Sequence, residues 1–227
     1  MRVGCGIFVK TPGISPIKTR LARSVGNELA LEFYKRSCSA VGELLGRLQL
    51  ADPRVVPHWA VAELGGLEAP IWGGFSRVLQ EGADLGARLH CVYSSLQDRF
   101  GNAMLLGADS PLLSVDDILC GVNALQSSSY ALGRARDGGF YLLSGCQSIP
   151  EDVWIGTPYS VDSTANELLK RLSPVGSIAE LSERGDVDTW EDLVAEFAVE
   201  PRADLLPMQQ SLWDWVNSHL LKVSLSP

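Results

Sequence analysis

Residues 102–111, Asn102-Ala-Met-Leu-Leu-Gly-Ala108-Asp109-Ser110-Pro111, decide the fold. A short apolar run closed by a turn signal reads as a buried strand, and Asp-Ser-Pro then swings the chain into a helix predicted over about 115–125, with Ser114 as its cap. The same unit recurs outward from there. Val3–Val9 reads as a buried first strand, closed by the loop Lys10–Lys18 with its two prolines and a glycine. After this loop comes a helix over about 28–50, where Leu29, Phe33, Cys38, Val41, Leu44, Leu45 and Leu48 recur at helical spacing, with Thr19 or Ser24 as possible caps. Residues 54–62 read as a second strand that Pro57 makes irregular or an edge. Residues 65–74 are a glycine-rich loop, and 84–99 a helix with Leu85, Leu89, Val92, Tyr93 and Leu96 on one face. Two β-like runs, 130–135 and 140–144, meet through Arg136-Asp137-Gly138-Gly139. Helices are predicted over 161–172, from Thr189 to about 197, and over 205–221, the last burying Leu212, Trp213, Val216 and Leu220. Strands alternating with helices predict an α/β fold with a mainly parallel sheet covered on both faces. In such sheets ligands sit beyond the carboxyl ends of the strands.

The bulk properties narrow the class. A chain of 227 residues with 46% hydrophobic and 20% charged content supports one closed core. A net charge of −8 argues against a nucleic-acid partner. No apolar run approaches the ~20 residues that span a bilayer, so no membrane partner is expected. The first apolar run ends at Val9 with no small-residue cleavage site after it, which disfavours a signal peptide. Five scattered cysteines and three scattered histidines form no zinc pattern. The cysteines read as reduced core residues of a cytoplasmic protein, and each histidine as a core or surface residue rather than part of a triad.

Charge distribution says more than its sum. Residues 1–27 hold Arg2, Lys10, Lys18, Arg20 and Arg23 and no acid, so this end either meets an anion or is a solvated basic face. The loop is not a P-loop, because Ile17 stands where that motif needs a glycine before Lys18. What remains is a mobile point charge (Lys18), a fork for phosphate oxygens (Arg20) and a hydroxyl between them (Thr19). Asp109, at a strand end, is a hard-oxygen ligand suited to Mg²⁺ or Mn²⁺, or simply part of a turn. Asp137-Gly138-Gly139 is a hairpin turn whose glycines would also allow backbone to approach a ligand. In Asp186-Val187-Asp188-Thr189, a cap at Thr189 explains Glu191 and Asp192. It leaves Asp186 and Asp188, which could add a second carboxylate to the metal.

Taken in order, Ile7–Pro12 with Lys18–Ala22, Asp84–Leu89, Leu106–Pro111, Asp137–Leu142, Trp154–Thr157 and Asp186–Leu193 resemble the bacterial DUF2064 family, often labelled glycosyltransferase and placed among the nucleotide-diphospho-sugar transferases. The resemblance spans residues 3–197. It implies a Rossmann-like three-layer α/β/α sandwich of the GT-A-like kind, taken as a domain over 1–200; residues 201–227, outside the resemblance, are expected from their helical pattern to be a C-terminal helical extension packed on the same domain. It also implies nucleotide phosphates at Lys10, Lys18, Thr19 and Arg20, and a divalent ion, Mg²⁺ or Mn²⁺, on Asp109 and Asp188. The sugar or acceptor falls at Asp137, Gly138 and Gly139, and catalysis to Lys18, Arg20 and Asp109. The expected partners are a nucleotide or nucleotide sugar and a small-molecule acceptor, for a monomer or homodimer. Glycosyl transfer is the implied reaction. Nucleotidyl transfer with release of pyrophosphate stays open, because the Lys-Thr-Arg loop also resembles guanylyltransferases that load phospholactate. A non-catalytic nucleotide-binding module is the third alternative.

Overall fold

A computed structural model describes residues 2–221. Among them, seven strands form one sheet: β1 (Val3–Val9), β2 (Val55–Val61), β3 (Ser76–Leu79), β4 (Ala103–Gly107), β5 (Tyr130–Ala135), β6 (Phe140–Gly145) and β7 (Ile178–Arg184). Their order is β3-β2-β1-β4-β6-β5-β7. Every pairing is parallel except those of β6, which runs against β4 and β5. The carboxyl ends of the other six therefore share one edge, and that edge carries the candidate loops.

The helices are α1 (Thr19–Val25), α2 (Asn27–Ala51), α3 (Leu85–Phe100), α4 (Val115–Ala124), α5 (Glu151–Ile155), α6 (Thr164–Leu172), α7 (Trp190–Phe197) and α8 (Pro207–Val216). Alternation along β1 shows how the sheet is covered. Val3, Cys5, Ile7 and Val9 pack with α2 and α4 residues such as Leu44, Leu45 and Ile118. The opposite face packs with α3, α5 and α6 through Val92, Leu96, Trp154 and Leu168. Gly4 and Gly6 belong to that face: a methyl at Gly4 would run into the Phe100 ring, so α3 lies hard against the sheet. A third cluster joins α8 to α2 and α7, with Leu212, Trp213, Val216 and Leu220 buried beside Phe33 and Phe197. Residues 222–227 of the expected extension lie outside the described residues.

Several expectations are corrected. Pro57 does not put β2 at an edge, because β3 pairs only with His58–Val61 and so stops short of the proline. The edges are β3 and β7, which sequence periodicity does not reveal: one has four residues, and the other (IAELSER) is mostly half-exposed or exposed. Gly26, at φ 86°, separates α1 from α2. Neither Thr19 nor Ser24 caps a helix, since the N-caps are Lys18 and Gly26. The helix expected from 161 begins at Thr164, and the five-residue α5 is too short to show a periodicity. Ser114 and Thr189 do cap, each closing a reciprocal capping box with Asp117 and Asp192. Only Cys5 and Cys38 are buried core cysteines; Cys120 is exposed.

His58 lies fully buried in β2, its Nδ1–H facing the Val56 carbonyl at 2.9 Å and its Nε2 without a partner. Burial, aided by the charge of Arg99 and opposed by that carbonyl, holds its pKa below the ordinary 6.5. A depressed folded pKa gives stability that is complete above the unfolded value and lost as pH falls through the folded one. Urea unfolding at pH 7.5, 6 and 5 should therefore show a steeper loss of stability for the wild type than for His58→Gln. Parallel curves would show that His58 contributes nothing to the pH dependence.

Candidate active site

The first strand delivers Lys10–Lys18 to the carboxyl edge, and long-range contacts pin the root of that loop. The Tyr34 hydroxyl accepts from the Lys10 amide (2.7 Å) and donates to the Lys10 carbonyl (2.9 Å). Thr11 donates its amide to Glu63 Oε2 at 2.9 Å, and its Oγ1 accepts from Trp72 Nε1 at 3.1 Å. Tyr34, Glu63 and Trp72 carry no local motif, so nothing in the sequence signals this role.

At the loop's far end, Lys18 adopts a left-handed backbone, φ 45° and ψ 46°. Its side chain is only 4% exposed. Nζ reaches Asp109 Oδ1 at 2.6 Å, Asp188 Oδ1 at 2.8 Å and the Val187 carbonyl at 2.5 Å, using all three ammonium protons. The mobile charge expected from sequence is thus a fixed one. Arg20 is the exposed cation of the pair, 53% accessible with NH1 4.0 Å from Asp188. Lys10, on the loop, and Thr19, the first residue of α1, are both exposed.

The two aspartates come from separate crossovers. Asp109 follows β4, whose end is held by Ser37 Oγ donating to the Ala108 carbonyl at 2.6 Å. Asp188 follows β7, and the Val187 amide donates to the Asp109 carbonyl at 2.9 Å, tying the two loops together. Burial works against the Lys18 ammonium, but Asp109 and Asp188 outweigh it and hold its pKa above the ordinary lysine range. Burial likewise works against an ionised Asp188, yet Lys18, Arg20 and Lys10 keep it below the usual carboxylate range. Asp186 is pushed up to about 7 by burial and then by the charges of Asp137, Asp188 and Asp109, against which Lys18 acts only in part.

Asp137, Gly138 and Gly139 form the β5–β6 turn. Asp137 Oδ1 accepts from the Gly139 amide at 2.7 Å. Gly138 has φ 89°, its carbonyl accepts from the Ala165 amide at 2.9 Å, and a methyl there would collide with the Asp162 carbonyl. The hairpin reading of these residues holds, and the group that approaches Gly138 is the chain's own 160–165 segment.

These loops enclose an open cleft of about 750 Å³. Lys10, Lys18, Thr19, Arg20, Asp109, Asp137, Gly139 and Asp188 all line it, so of the expected site residues only Gly138 does not. Gln80, Arg88, Tyr159, Ser160 and Asp186 also line it. Asp109 Oδ1 and Asp188 Oδ1 already converge on one cationic atom, the donor chemistry a hard divalent ion requires. Among the described residues no three His, Cys, Asp or Glu side chains gather into a metal-holding group. Asp109 and Asp188 are the residues that could hold a hard ion, which would complete its shell with water and phosphate oxygens.

The fold is shared with solved transferase structures. A candidate nucleotide-diphospho-sugar transferase from Desulfovibrio desulfuricans G20 superposes with a TM-score of 0.81 at 24% identity, covering 98% of each chain. The 4-diphosphocytidyl-2C-methyl-D-erythritol synthase from Anaerococcus prevotii DSM 20548 gives 0.54 at 9% identity, over 86% of this chain and 95% of that one. A cytidylyltransferase from Leptospira borgpetersenii serovar Hardjo-bovis gives 0.52 at 14%, over 100% and 98%. No curated protein matches the chain in sequence. Residues 47–161, just over half the chain, match the family described as an uncharacterized protein conserved in bacteria, DUF2064. That match contains the Asp109 and Asp137 loops and stops short of Lys18 and Asp188, which reach the same cleft from either side of it: the chain belongs to the DUF2064 family.

Proposed function

We propose that this protein is a metal-dependent transferase acting on a nucleotide-diphospho-sugar. The observation that carries the reading is the convergence of Asp109 and Asp188 on the Lys18 ammonium within a cleft that also bears Lys10 and Arg20. Arg20, exposed and forked, is suited to two phosphate oxygens of the nucleotide. Lys18, held rigidly, places positive charge where a departing diphosphate gains negative charge. Mg²⁺ or Mn²⁺, held by Asp109 and Asp188, would neutralise phosphate oxygens as a Lewis acid. Asp137 would accept a hydrogen bond from the sugar or the acceptor. Transfer of the glycosyl group would expel a nucleoside diphosphate.

Nucleotidyl transfer is the second reading. The fold likeness to a cytidylyltransferase and to a 4-diphosphocytidyl-2C-methyl-D-erythritol synthase supports it. Thermal shifts with nucleoside di- and triphosphates and nucleotide sugars, with and without Mg²⁺, test both. We expect a nucleotide-dependent rise in Tm that Mg²⁺ enlarges. Pyrophosphate release from a triphosphate and a phosphorylated acceptor would replace the glycosyl reading with the nucleotidyl one. Affinity indifferent to Mg²⁺ and to Asp109→Ala would leave a non-catalytic binding module.

A further inference from the structure

Among the described residues two non-glycine positions have positive φ, Lys18 at 45° and Ser160 at 61°, and both line the cleft. A residue with a β-carbon adopts the left-handed region at a cost, and such costs persist where the surroundings enforce them, often at functional sites. The position of Lys18 is rewarded by its three contacts. Ser160 has no such reward: neither its amide nor its hydroxyl is hydrogen-bonded to the described protein.

Its neighbours, by contrast, are fully engaged. Tyr159 Oη donates to the Trp154 carbonyl at 3.0 Å, and Thr164 Oγ1 donates to the Pro158 carbonyl at 2.9 Å. The Ala165 amide bonds to Gly138, whose backbone touches Asp162. The segment is thereby stitched to the Asp137–Gly139 turn, and its strained, exposed residue lines the cleft with an amide and a hydroxyl that bond nothing in the described protein.

The lining around Ser160 selects among ligand groups. Asp137, on the turn to which this segment is stitched, lines the cleft and opposes a second anion there, while Lys10 and Arg20 line the same cleft and are suited to phosphates. Phe140 and the adjacent residue Tyr159 line the cleft as well. Aromatic side chains, a carboxylate and a hydroxyl lining one cleft suit a neutral group rich in hydroxyls. We infer that Ser160 is a specificity-determining residue that hydrogen-bonds the sugar portion of the ligand. This rests on the nucleotide-sugar reading of the site.

Two variants separate strain from recognition. Ser160→Gly relieves the backbone and removes the hydroxyl, whereas Ser160→Ala removes the hydroxyl and keeps the strain. Ser160→Gly should melt about 2 °C above Ser160→Ala. Calorimetric titration with ADP, GDP and UDP and with ADP-glucose, GDP-mannose and UDP-glucose, all in Mg²⁺, then reads the ligand. We expect at least one sugar conjugate to bind the wild type more tightly than its parent diphosphate. Both variants should lose about fivefold in affinity for that conjugate while keeping the affinity for the diphosphate. Undiminished conjugate binding in both variants would make Ser160 a turn residue only and overturn the inference, as would an equal loss for conjugate and diphosphate. In both cases diphosphate binding to the wild type would leave the proposed function standing. Absence of binding by any nucleotide would remove both.

Discussion

Asp109→Asn should reduce kcat/KM by ~10³-fold, corresponding to about 4 kcal/mol of lost transition-state stabilisation. The substitution keeps the shape of the side chain and removes one of the two carboxylates that converge at the base of the cleft. The fold should survive, because the strand end is held independently by Ser37 on the Ala108 carbonyl and by Val187 on the Asp109 carbonyl, neither of which uses the side chain. Circular dichroism and Tm check the fold, and steady-state kinetics over a range of Mg²⁺ check the activity. Wild-type kcat/KM in this variant would remove Asp109 from the chemistry.

Lys18→Met should affect both stability and turnover. It leaves Asp109 and Asp188 facing each other with Asp186 close by, and strips a buried ammonium of similar length from between them. Breaking a wholly buried pair costs about 3–5 kcal/mol. Both carboxylates are more than a third exposed, so solvent screening reduces the expected loss to about 2 kcal/mol, or a Tm about 4–8 °C lower. Activity should fall by about 10²-fold or more, because the same charge faces the departing group. Lys18→Arg should recover little of either: a planar fork cannot reach three acceptors arranged around one nitrogen. A Lys18→Met protein with wild-type Tm would show that the bridge adds nothing to stability.

The sequence foretold which residues line the cleft far better than how they are arranged in it. Asp109, Asp137 and Asp188 sit in loops that leave strand ends, and an apolar run followed by a polar turn announces such loops directly. Charge asymmetry pointed to Lys18 and Arg20 but mistook Lys18 for a mobile charge, because its burial depends on Asp188, 170 residues away. Pairing partners that distant leave no local pattern. The same reason hid the anchors Tyr34, Glu63 and Trp72. Backbone sign was also invisible: Lys18 and Ser160 occupy a region usually signalled by glycine or asparagine, and neither residue type suggests it. The missed strands β3 and β7 are short or polar because edges bury only part of their surface. Pro57 misled for a related reason, since a proline is tolerated inside a sheet where the neighbouring strand has not yet begun.

The sheet order also has a consequence for synthesis. β1 leaves the ribosome first yet lies between β2 and β4, and its register with β4 joins Gly4 to Ala103. At roughly 5–20 residues per second, about a hundred residues separate the two in translation by some 5–20 s. During that interval Val3–Val9 is an apolar segment with an open hydrogen-bonding side. The cleft comes later still, since the bridge from Lys18 to Asp188 waits for nearly the whole chain. Pairing of β1 with β4 and closure of the cleft are therefore late events in the synthesis of residues 3–188.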